Sequence, residues 1–134
     1  MRRESFSAEV DCECVEVPLK PPRAGIIRDA LKQFPDTTAV FASTDHIARD
    51  VYEVAAELGL SIPGDLSVVG YSDLEFAKYL YPTLTTVHAN PYAMGCRAAS
   101  LLIGRLEDRL KENKDCQVDY LPVELINRNS TKAL

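Results

Sequence analysis

The 134-residue chain lacks several features that would place it in a broad class of proteins. No apolar run approaches the ~20 residues that a membrane-spanning helix needs, so we expect no membrane partner. Residues 1–6 include basic side chains but no apolar segment follows them, so we expect no secretory signal. Positive charge is in deficit, because the net charge is −5. An acidic chain gains nothing from a phosphate backbone, so direct DNA binding by this chain is not expected.

Cysteine patterns typical of metal sites are also missing. The chain has four cysteines, Cys12, Cys14, Cys96 and Cys116. Only the first two are close in sequence, and a zinc site would need two further ligands nearby and usually a C-x-x-C pair. We therefore expect no metal, and we expect reduced cysteines in a cytoplasmic protein.

Motifs for catalysis are equally scarce. His46 and His88 are lone histidines without a nucleophile at a suitable spacing, and neither G-x-S-x-G nor S-x-x-K occurs. The glycines of residues 59–64 lack the G-x-G-x-x-G spacing and follow a predicted helix where a phosphate loop should precede one. The sequence thus predicts neither an enzyme nor a cofactor.

Residues 38–73 carry the strongest structural pattern in the chain. The apolar run 39–42 is too short for a helix and predicts a buried strand. Apolar residues then recur at helical spacing as far as Leu58, and Gly59 stands where a left-handed residue ends a helix. Residues 66–70 predict a second buried strand. The segment therefore predicts one βαβ unit with parallel strands.

Polar side chains follow both strands of this unit. Thr44 and Asp45 come after the first strand, and Ser72 and Asp73 come after the second. Parallel strands end at the same edge of a sheet, and open α/β sheets bind small ligands at that edge. These four residues are therefore candidate ligand-binding residues. One of the first pair could instead be only the helix N-cap, and we expect that role for Asp45.

The rest of the chain predicts further helices and strands of an α/β fold. Helices are expected at 24–34, 74–80 and about 90–110, and strands at 12–17, 84–89 and part of 118–126. Asn90 and Pro91 provide an N-cap and a favourable first helical residue. Pro122 confines the last strand to an edge of the sheet or breaks it, and residues 127–134 are expected to form a polar tail.

Three pieces of the chain together resemble the effector-binding domain of the lactose/galactose repressor family. They are Ser43-Thr44-Asp45, the stretch 59–73 reading GLSIPGDLSVVGYSD, and Tyr81-Pro82-Thr83-Leu84-Thr85-Thr86-Val87. The resemblance is continuous over about residues 36–106. It implies a periplasmic-binding-protein-like fold with three layers around a parallel sheet.

The resemblance also implies how the chain is divided. Residues 1–87 and about 118–126 would form an incomplete second lobe, whose first ten residues end a helix. Residues 88–112 would supply a crossover strand and a long helix of the first lobe. Most of the first lobe and the DNA-binding domain would lie outside this chain. It would therefore be a single partial domain for effector binding and dimerisation.

The family's ligand contacts are only partly matched. The position of Thr44 holds an asparagine that contacts the effector in lactose-repressor-like proteins. Threonine keeps a hydroxyl but loses the amide's donor and acceptor. Ser72 stands where many members have an aspartate, and Ala89 replaces a glutamine. The resemblance implies a small, sugar-type effector held with fewer polar groups, and we expect Asp73 mainly to shape its loop.

The function implied by the family is ligand sensing in a transcription regulator. Ligand between the two lobes would change their angle, and a homodimer would pass that change to DNA-binding headpieces. Tyr52, Tyr79 and Tyr81 are the expected aromatic anchors of the dimer. DNA would be bound only through a domain absent from this chain. The alternative is a periplasmic-type sugar-binding protein of a transporter, which shares the fold.

The predicted helix 90–110 carries a pronounced apolar stripe. Its members are Cys96, Ala99, Leu102, Ile103, Leu106 and Leu110. Burying each leucine or isoleucine is worth about 1.5–3 kcal/mol, so we expect the stripe to be covered. We expect it to be buried against a second copy of the chain, for which exchange of the segment after Val87 is one route. The alternative is that it folds back on the 38–73 unit.

Overall fold

A mixed sheet with helices forms the part of the chain that the computed structural model describes, which is residues 12–106 and 118–133. The elements in chain order are α1 (Ala24–Gln33), β1 (Ala39–Phe41), α2 (Asp45–Glu57), β2 (Ser67–Tyr71), a 3₁₀ helix (Glu75–Tyr79), β3 (Thr85–Ala89), α3 (Pro91–Leu106) and β4 (Val123–Ile126). The predicted α/β fold and the predicted βαβ unit are confirmed. The expectation that the first strand is buried is wrong, because Ala39 and Phe41 are exposed and only Ala42 of that run is buried.

Helix α2 begins and ends where local chemistry directs it. Thr44 has an extended backbone, and its hydroxyl accepts a hydrogen bond from the amide of Ile47 at 3.4 Å. Thr44 is therefore the N-cap, and the prediction of a cap role for Asp45 is wrong, because Asp45 is already the first helical residue. Gly59 has a φ of +71°, which confirms the predicted left-handed residue after the helix.

The four strands follow each other across the sheet in the order β1-β2-β3-β4. The first three are parallel, with Phe41 opposite Val69 and Tyr71 opposite Val87. Strand β4 is antiparallel to β3 and lies at the edge, directly after Pro122, as the proline predicts. The carboxyl ends of the three parallel strands therefore lie along one side of the sheet.

The core lies between α2, α1 and one face of the sheet, with α1 packed on α2 and α2 packed on β2. Its buried apolar residues are Ile27, Ala42, Ile47, Ala48, Val51, Val54, Ala55, Leu66, Val68, Ala77 and Leu84. Alternate residues of β2, Val68 and Gly70, point into this core. A buried ion pair between Arg23 and Asp50 joins the start of α1 to α2. This packing fixes the N-terminus of α2 against the carboxyl ends of the strands.

Two further local predictions are wrong. Residues 12–17 were expected to form a strand, but they have no regular structure and are not part of the four-stranded sheet. Alternating polarity cannot supply the hydrogen-bonded neighbour that a strand requires. Residues 127–133 were expected to be a polar tail, but Ser130 is fully buried, and its backbone oxygen accepts a hydrogen bond from the amide of Val68 at 2.8 Å. The Ser130 hydroxyl also donates to the carbonyl of Val68 and accepts from the amide of Thr85, so this segment is bonded to β2 and β3.

Helix α3 is the element with the least cover. Asn90 caps it by accepting a hydrogen bond from the amide of Ala93 at 3.0 Å, and Pro91 is its first residue, as predicted. Leu102, Ile103 and Leu106 are 59%, 54% and 75% exposed. The alternative, that this stripe folds back on the 38–73 unit, is therefore wrong, and burial against a second copy of the chain stays a prediction. The predicted extension to residue 110 lies outside the described residues.

Two further observations concern the described ranges 12–106 and 118–133 only. None of the helices there is long and apolar enough to cross a membrane. No group of three or more histidine, cysteine, aspartate or glutamate side chains suited to a metal ion occurs there. The expected helix end within residues 1–10 falls outside these ranges, as does Cys116.

Candidate functional site

Asp45, which follows β1, links the loop after β2 to the beginning of β3. Its side chain is fully buried at the start of α2. One carboxylate oxygen accepts a hydrogen bond from the Thr86 hydroxyl of β3 at 2.6 Å, and the other accepts from the amide of Leu74 at 2.7 Å. A buried carboxylate needs such donors, and each charge-assisted bond is shorter and stronger than a neutral one. Asp45 therefore holds the sheet edge, and no part of its surface is left to contact a ligand.

Gly70 makes room for this carboxylate. A Cβ atom at residue 70 would lie 2.2 Å from Asp45 Oδ1 and 3.0 Å from a methyl carbon of Leu84. These separations are far below ordinary contact distances. The glycine in the Gly-Tyr-Ser-Asp stretch is thus required for close approach, and its conformation is not the reason.

The loop after β2 has an unusual backbone. Ser72 has a φ of +117° and Asp73 has a φ of +52°, although neither is glycine. Such conformations cost of order 1–3 kcal/mol each and persist only where neighbouring contacts hold them. The amide of Ser72 donates to the carbonyl of Val87 at 2.9 Å, so the loop is joined to β3. Strain of this kind gathers at ligand-binding positions.

Asp73 is paired with side chains of the same chain. Arg128, just after β4, donates from Nη2 to Asp73 Oδ1 at 2.6 Å. His88 of β3 places Nδ1 3.3 Å from Asp73 Oδ2. The second guanidinium nitrogen of Arg128 donates to the carbonyl of Leu84 at 2.8 Å. Asp73 therefore holds its loop through an ion pair, which the sequence did not predict, and Arg128 is its principal partner.

Thr44 and Ser72 are the predicted ligand residues whose side chains make fewer strong bonds within the chain than those of Asp45 and Asp73. Both are half-buried, and they follow β1 and β2, which are paired neighbours. The Thr44 hydroxyl accepts the capping bond to α2, and its proton remains available to donate. The structure thus divides the four predicted residues into two scaffold carboxylates and two hydroxyls at the sheet edge. Ligand contact by any of them stays a prediction.

A cleft of about 180 Å³ lies beside this edge, where β2, β3 and the start of α3 meet. It is lined by Tyr71, Ala89, Asn90, Met94, Asp119, Leu121, Pro122 and Val123. Ala89 is the position at which the family has a glutamine. None of the four predicted ligand residues lines this cleft among the residues that the structure describes.

The three tyrosines predicted at a dimer interface lie in different surroundings. Tyr79 and Tyr81 are 73% and 98% exposed. Tyr52 on α2 is half-buried, and its hydroxyl donates to the carbonyl of Pro82 at 3.0 Å. Burial raises the pKa of Tyr52, and a hydrogen bond with Ser130 partly opposes that rise. Tyr52 therefore anchors the segment that presents the other two.

Sequence reasoning missed three residues of the site, Thr86, Arg128 and Ser130. Thr86 lies within the Leu-Thr-Thr stretch that carried the resemblance, but nothing local indicates that its hydroxyl reaches Asp45, 41 residues earlier. Arg128 reaches Asp73 over 55 residues, and Ser130 donates to the carbonyl of Val68 over 62. The one sequence signal for Arg128 and Ser130 was that a polar run, Asn-Arg-Asn-Ser-Thr, directly follows the predicted edge strand.

Comparison with known proteins places this geometry in a family. The model of the periplasmic binding protein-like domain matches residues 2–131. The transcriptional repressor PurR of Proteus mirabilis is 37% identical over 100 residues, which are 75% of this chain and 28% of PurR. PurR of Histophilus somni is 35% identical over 97 residues, which are 72% of this chain and 28% of PurR. The chain thus spans less than a third of the curated relatives that it matches.

Solved structures extend the match to nearly the whole chain. A LacI family regulator from Enterococcus faecalis with bound ribose is 31% identical, with a TM-score of 0.77, over 99% of this chain and 49% of that one. A CelR–cellobiose complex is 28% identical, with a TM-score of 0.77, over 96% and 40%. The operator-bound lac repressor dimer is 22% identical, with a TM-score of 0.79, over 97% and 46%, and supports the fold alone. The predicted resemblance is confirmed: the chain belongs to the periplasmic binding protein-like domain family, as an effector-binding domain of the lactose/galactose repressor type.

Proposed function

We propose that this chain is the ligand-sensing and dimerisation part of a LacI-family transcription regulator. The observation that carries the proposal is the match of 99% of this chain to 49% of a ribose-bound regulator of that family, at 31% identity. The curated relatives are repressors rather than transporter components, which favours regulation over the alternative of a transporter's sugar-binding protein. They are also regulators rather than enzymes, which supports a non-catalytic role.

The effector would be a small polyhydroxylated molecule. Family neighbours hold ribose and cellobiose, which are both sugars. The hydroxyls of Thr44 and Ser72 at the ends of two paired strands can each donate and accept hydrogen bonds, which suits a ring with several hydroxyl groups. Tyr71 and Met94 of the adjacent cleft add apolar surface of the kind that covers a sugar face.

The mechanism would be a change of angle between two lobes. The described sheet edge is open, as expected for one wall of a site that a second lobe completes. A ligand that contacts both walls stabilises the closed arrangement by its difference in affinity for the two states. The change would reach DNA through a dimer and a DNA-binding domain outside this chain. Such a regulator would work in the cytoplasm.

Titration calorimetry with ribose, cellobiose and lactose tests the ligand, using the complete regulator that contains this chain. We expect one of these sugars to bind. Ser72→Asp should then tighten binding several-fold, because a carboxylate accepts stronger hydrogen bonds from sugar hydroxyls. Ser100→Asp, at an exposed position of α3 that does not line the cleft, is the matched control and should leave the affinity unchanged. Failure of all three sugars to bind would contradict the sugar assignment.

A further inference from the structure

The strained loop at Ser72 and Asp73 needs an explanation that its own sequence does not provide. Two successive residues other than glycine adopt positive φ. Glycine would adopt both conformations without cost, so the surrounding contacts must repay the strain. The loop carries Ser72, one of the two hydroxyls proposed to contact the effector. Whatever holds the loop therefore also sets the position of that hydroxyl.

Backbone contacts fix the two sides of the loop but leave its centre to a side chain. The Ser72 amide is bonded to Val87, and the Leu74 amide is bonded to Asp45. Between them, the amide of Asp73 has only a long contact of 3.4 Å to the Thr86 hydroxyl. The carboxylate of Asp73 is the group that binds the centre of the loop strongly, through its 2.6 Å pair with Arg128.

Arg128 is itself held rigidly. Its side chain is only 18% exposed, and Nη1 donates to the carbonyl of Leu84 while Nη2 holds Asp73. Its backbone amide donates to the Thr85 hydroxyl at 2.9 Å. A guanidinium group with one nitrogen on a strand-end carbonyl and another on a carboxylate has little freedom to rotate. It can transmit the position of β3 and the segment after β4 to the loop.

We propose that Arg128 is a positioning residue for the effector site, which holds Asp73 and thereby keeps Ser72 in its strained, ligand-ready conformation. His88 Nδ1, 3.3 Å from the other oxygen of Asp73, closes the opposite side of the carboxylate. Asp73 then serves the loop and makes no contact with the effector. The importance of Ser72 for the ligand rests on the proposed function, whereas the effect of Arg128 on the loop does not.

Amide hydrogen exchange measured by NMR on the chain without ligand tests the positioning directly. In Arg128→Gln we expect the amides of Ser72 and Leu74 to exchange roughly tenfold faster, because the charge-assisted bond that holds the loop is lost. Core amides such as that of Val54 should change much less. Arg28→Gln is the matched control, since it breaks an arginine–carboxylate ion pair with Glu57 that joins α1 to α2 and includes no residue of this loop or of the cleft.

The double variant Asp73→Asn/Arg128→Gln separates positioning from general stability. If the pair acts as a unit, the double variant should expose the amides of Ser72 and Leu74 no more than Arg128→Gln alone. Unchanged exchange of both amides in Arg128→Gln would overturn the proposal. So would an equal acceleration of every core amide, because the role would then be structural only.

A ligand measurement distinguishes failure of this proposal from failure of the proposed function. If the complete regulator binds ribose, Arg128→Gln should weaken binding about tenfold, and Arg28→Gln should not. Unchanged ribose affinity in Arg128→Gln would contradict the positioning role. If the unmodified regulator binds no sugar, the sugar assignment fails, and the exchange experiment still decides whether Arg128 holds the loop.

Discussion

Gly70 is the residue of the site at which the steric effect of a substitution follows most directly from measured distances. A methyl group there would overlap the Asp45 carboxylate at 2.2 Å, and Asp45 cannot move without losing its bonds to Thr86 and Leu74. We expect Gly70→Ala to lower the free energy of unfolding by about 1–3 kcal/mol, the usual cost of overpacking. Chemical denaturation followed by circular dichroism measures this change.

Gly25→Ala is the control for Gly70→Ala. Nothing lies within 4 Å of a Cβ atom at residue 25, which is in helix α1. Alanine favours a helix by up to ~1 kcal/mol over glycine, so this variant should be as stable as the natural chain or more stable. Equal stabilities of the two alanine variants would contradict the close approach of Gly70 to Asp45.

Single residues of the site were predictable only where their neighbours in sequence explain them. Thr44 was a candidate cap because a polar residue before a helix satisfies that helix's own amides. The assignment to Asp45 instead failed because the choice depends on which side chain is needed elsewhere, and Asp45 is needed by Thr86 on β3. Arg128 could not be linked to Asp73 from sequence, because polar pairing across 55 residues leaves no periodic trace.

Helices α2 and α3 show how the same capping chemistry should matter differently in different surroundings. α3 has no buried residue, so its helical structure depends mostly on local interactions, and a helix of 16 residues is marginal on that basis. We expect Asn90→Ala, which removes the bond to the amide of Ala93, to cost about 1 kcal/mol locally. NMR chemical shifts of α3 should move measurably toward coil values.

Thr44→Ala provides the comparison in α2. This variant also removes a cap, but α2 buries Val51, Val54 and Ala55 in the core. The global stability should fall by up to about 1 kcal/mol, while the chemical shifts of α2 stay helical. Equal loss of helical signal from both helices would contradict the view that packing stabilises α2 and local interactions stabilise α3.

At the scale of elements, the sequence predicted best where hydrophobic periodicity and end signals agree. The βαβ unit and α3 have both, since apolar spacing is bounded by Thr44 and Gly59 in one case and by Asn90 in the other. Residues 12–17 have alternation alone, and they form no strand. A strand needs a neighbouring strand to pair with, and alternation of polar and apolar residues does not show whether the fold provides one.

The described part of the chain exposes three apolar surfaces. Besides the stripe of α3, the sheet face away from α2 exposes Phe41, Val123 and Leu125, which are 37%, 59% and 60% accessible. Tyr79 and Tyr81 add a third apolar surface. Patches of this size usually contact a partner. The fold therefore predicts association with a partner. The three surfaces differ in how their segments are attached to the rest of the fold.

The tyrosine surface belongs to a segment that is bonded to α2, and we expect it to form the contact between two copies. Its segment is fixed by the bond from Tyr52 to Pro82, and the Lys78 ammonium lies 5.1 Å from the Tyr79 ring centre. Rigid aromatic side chains lose little entropy on binding and dominate interface energies, often by 2 kcal/mol or more each. Tyr79→Ser/Tyr81→Ser should therefore weaken a dimer more than tenfold, as measured by sedimentation equilibrium.

Tyr120→Ser, at a position 88% exposed but outside this segment, is the matched control and should leave the dimer intact. A dimer that survives the tyrosine changes but dissociates in Leu102→Ser/Ile103→Ser/Leu106→Ser would assign the contact to α3, and an unmodified chain that stays monomeric at high micromolar concentration would contradict both.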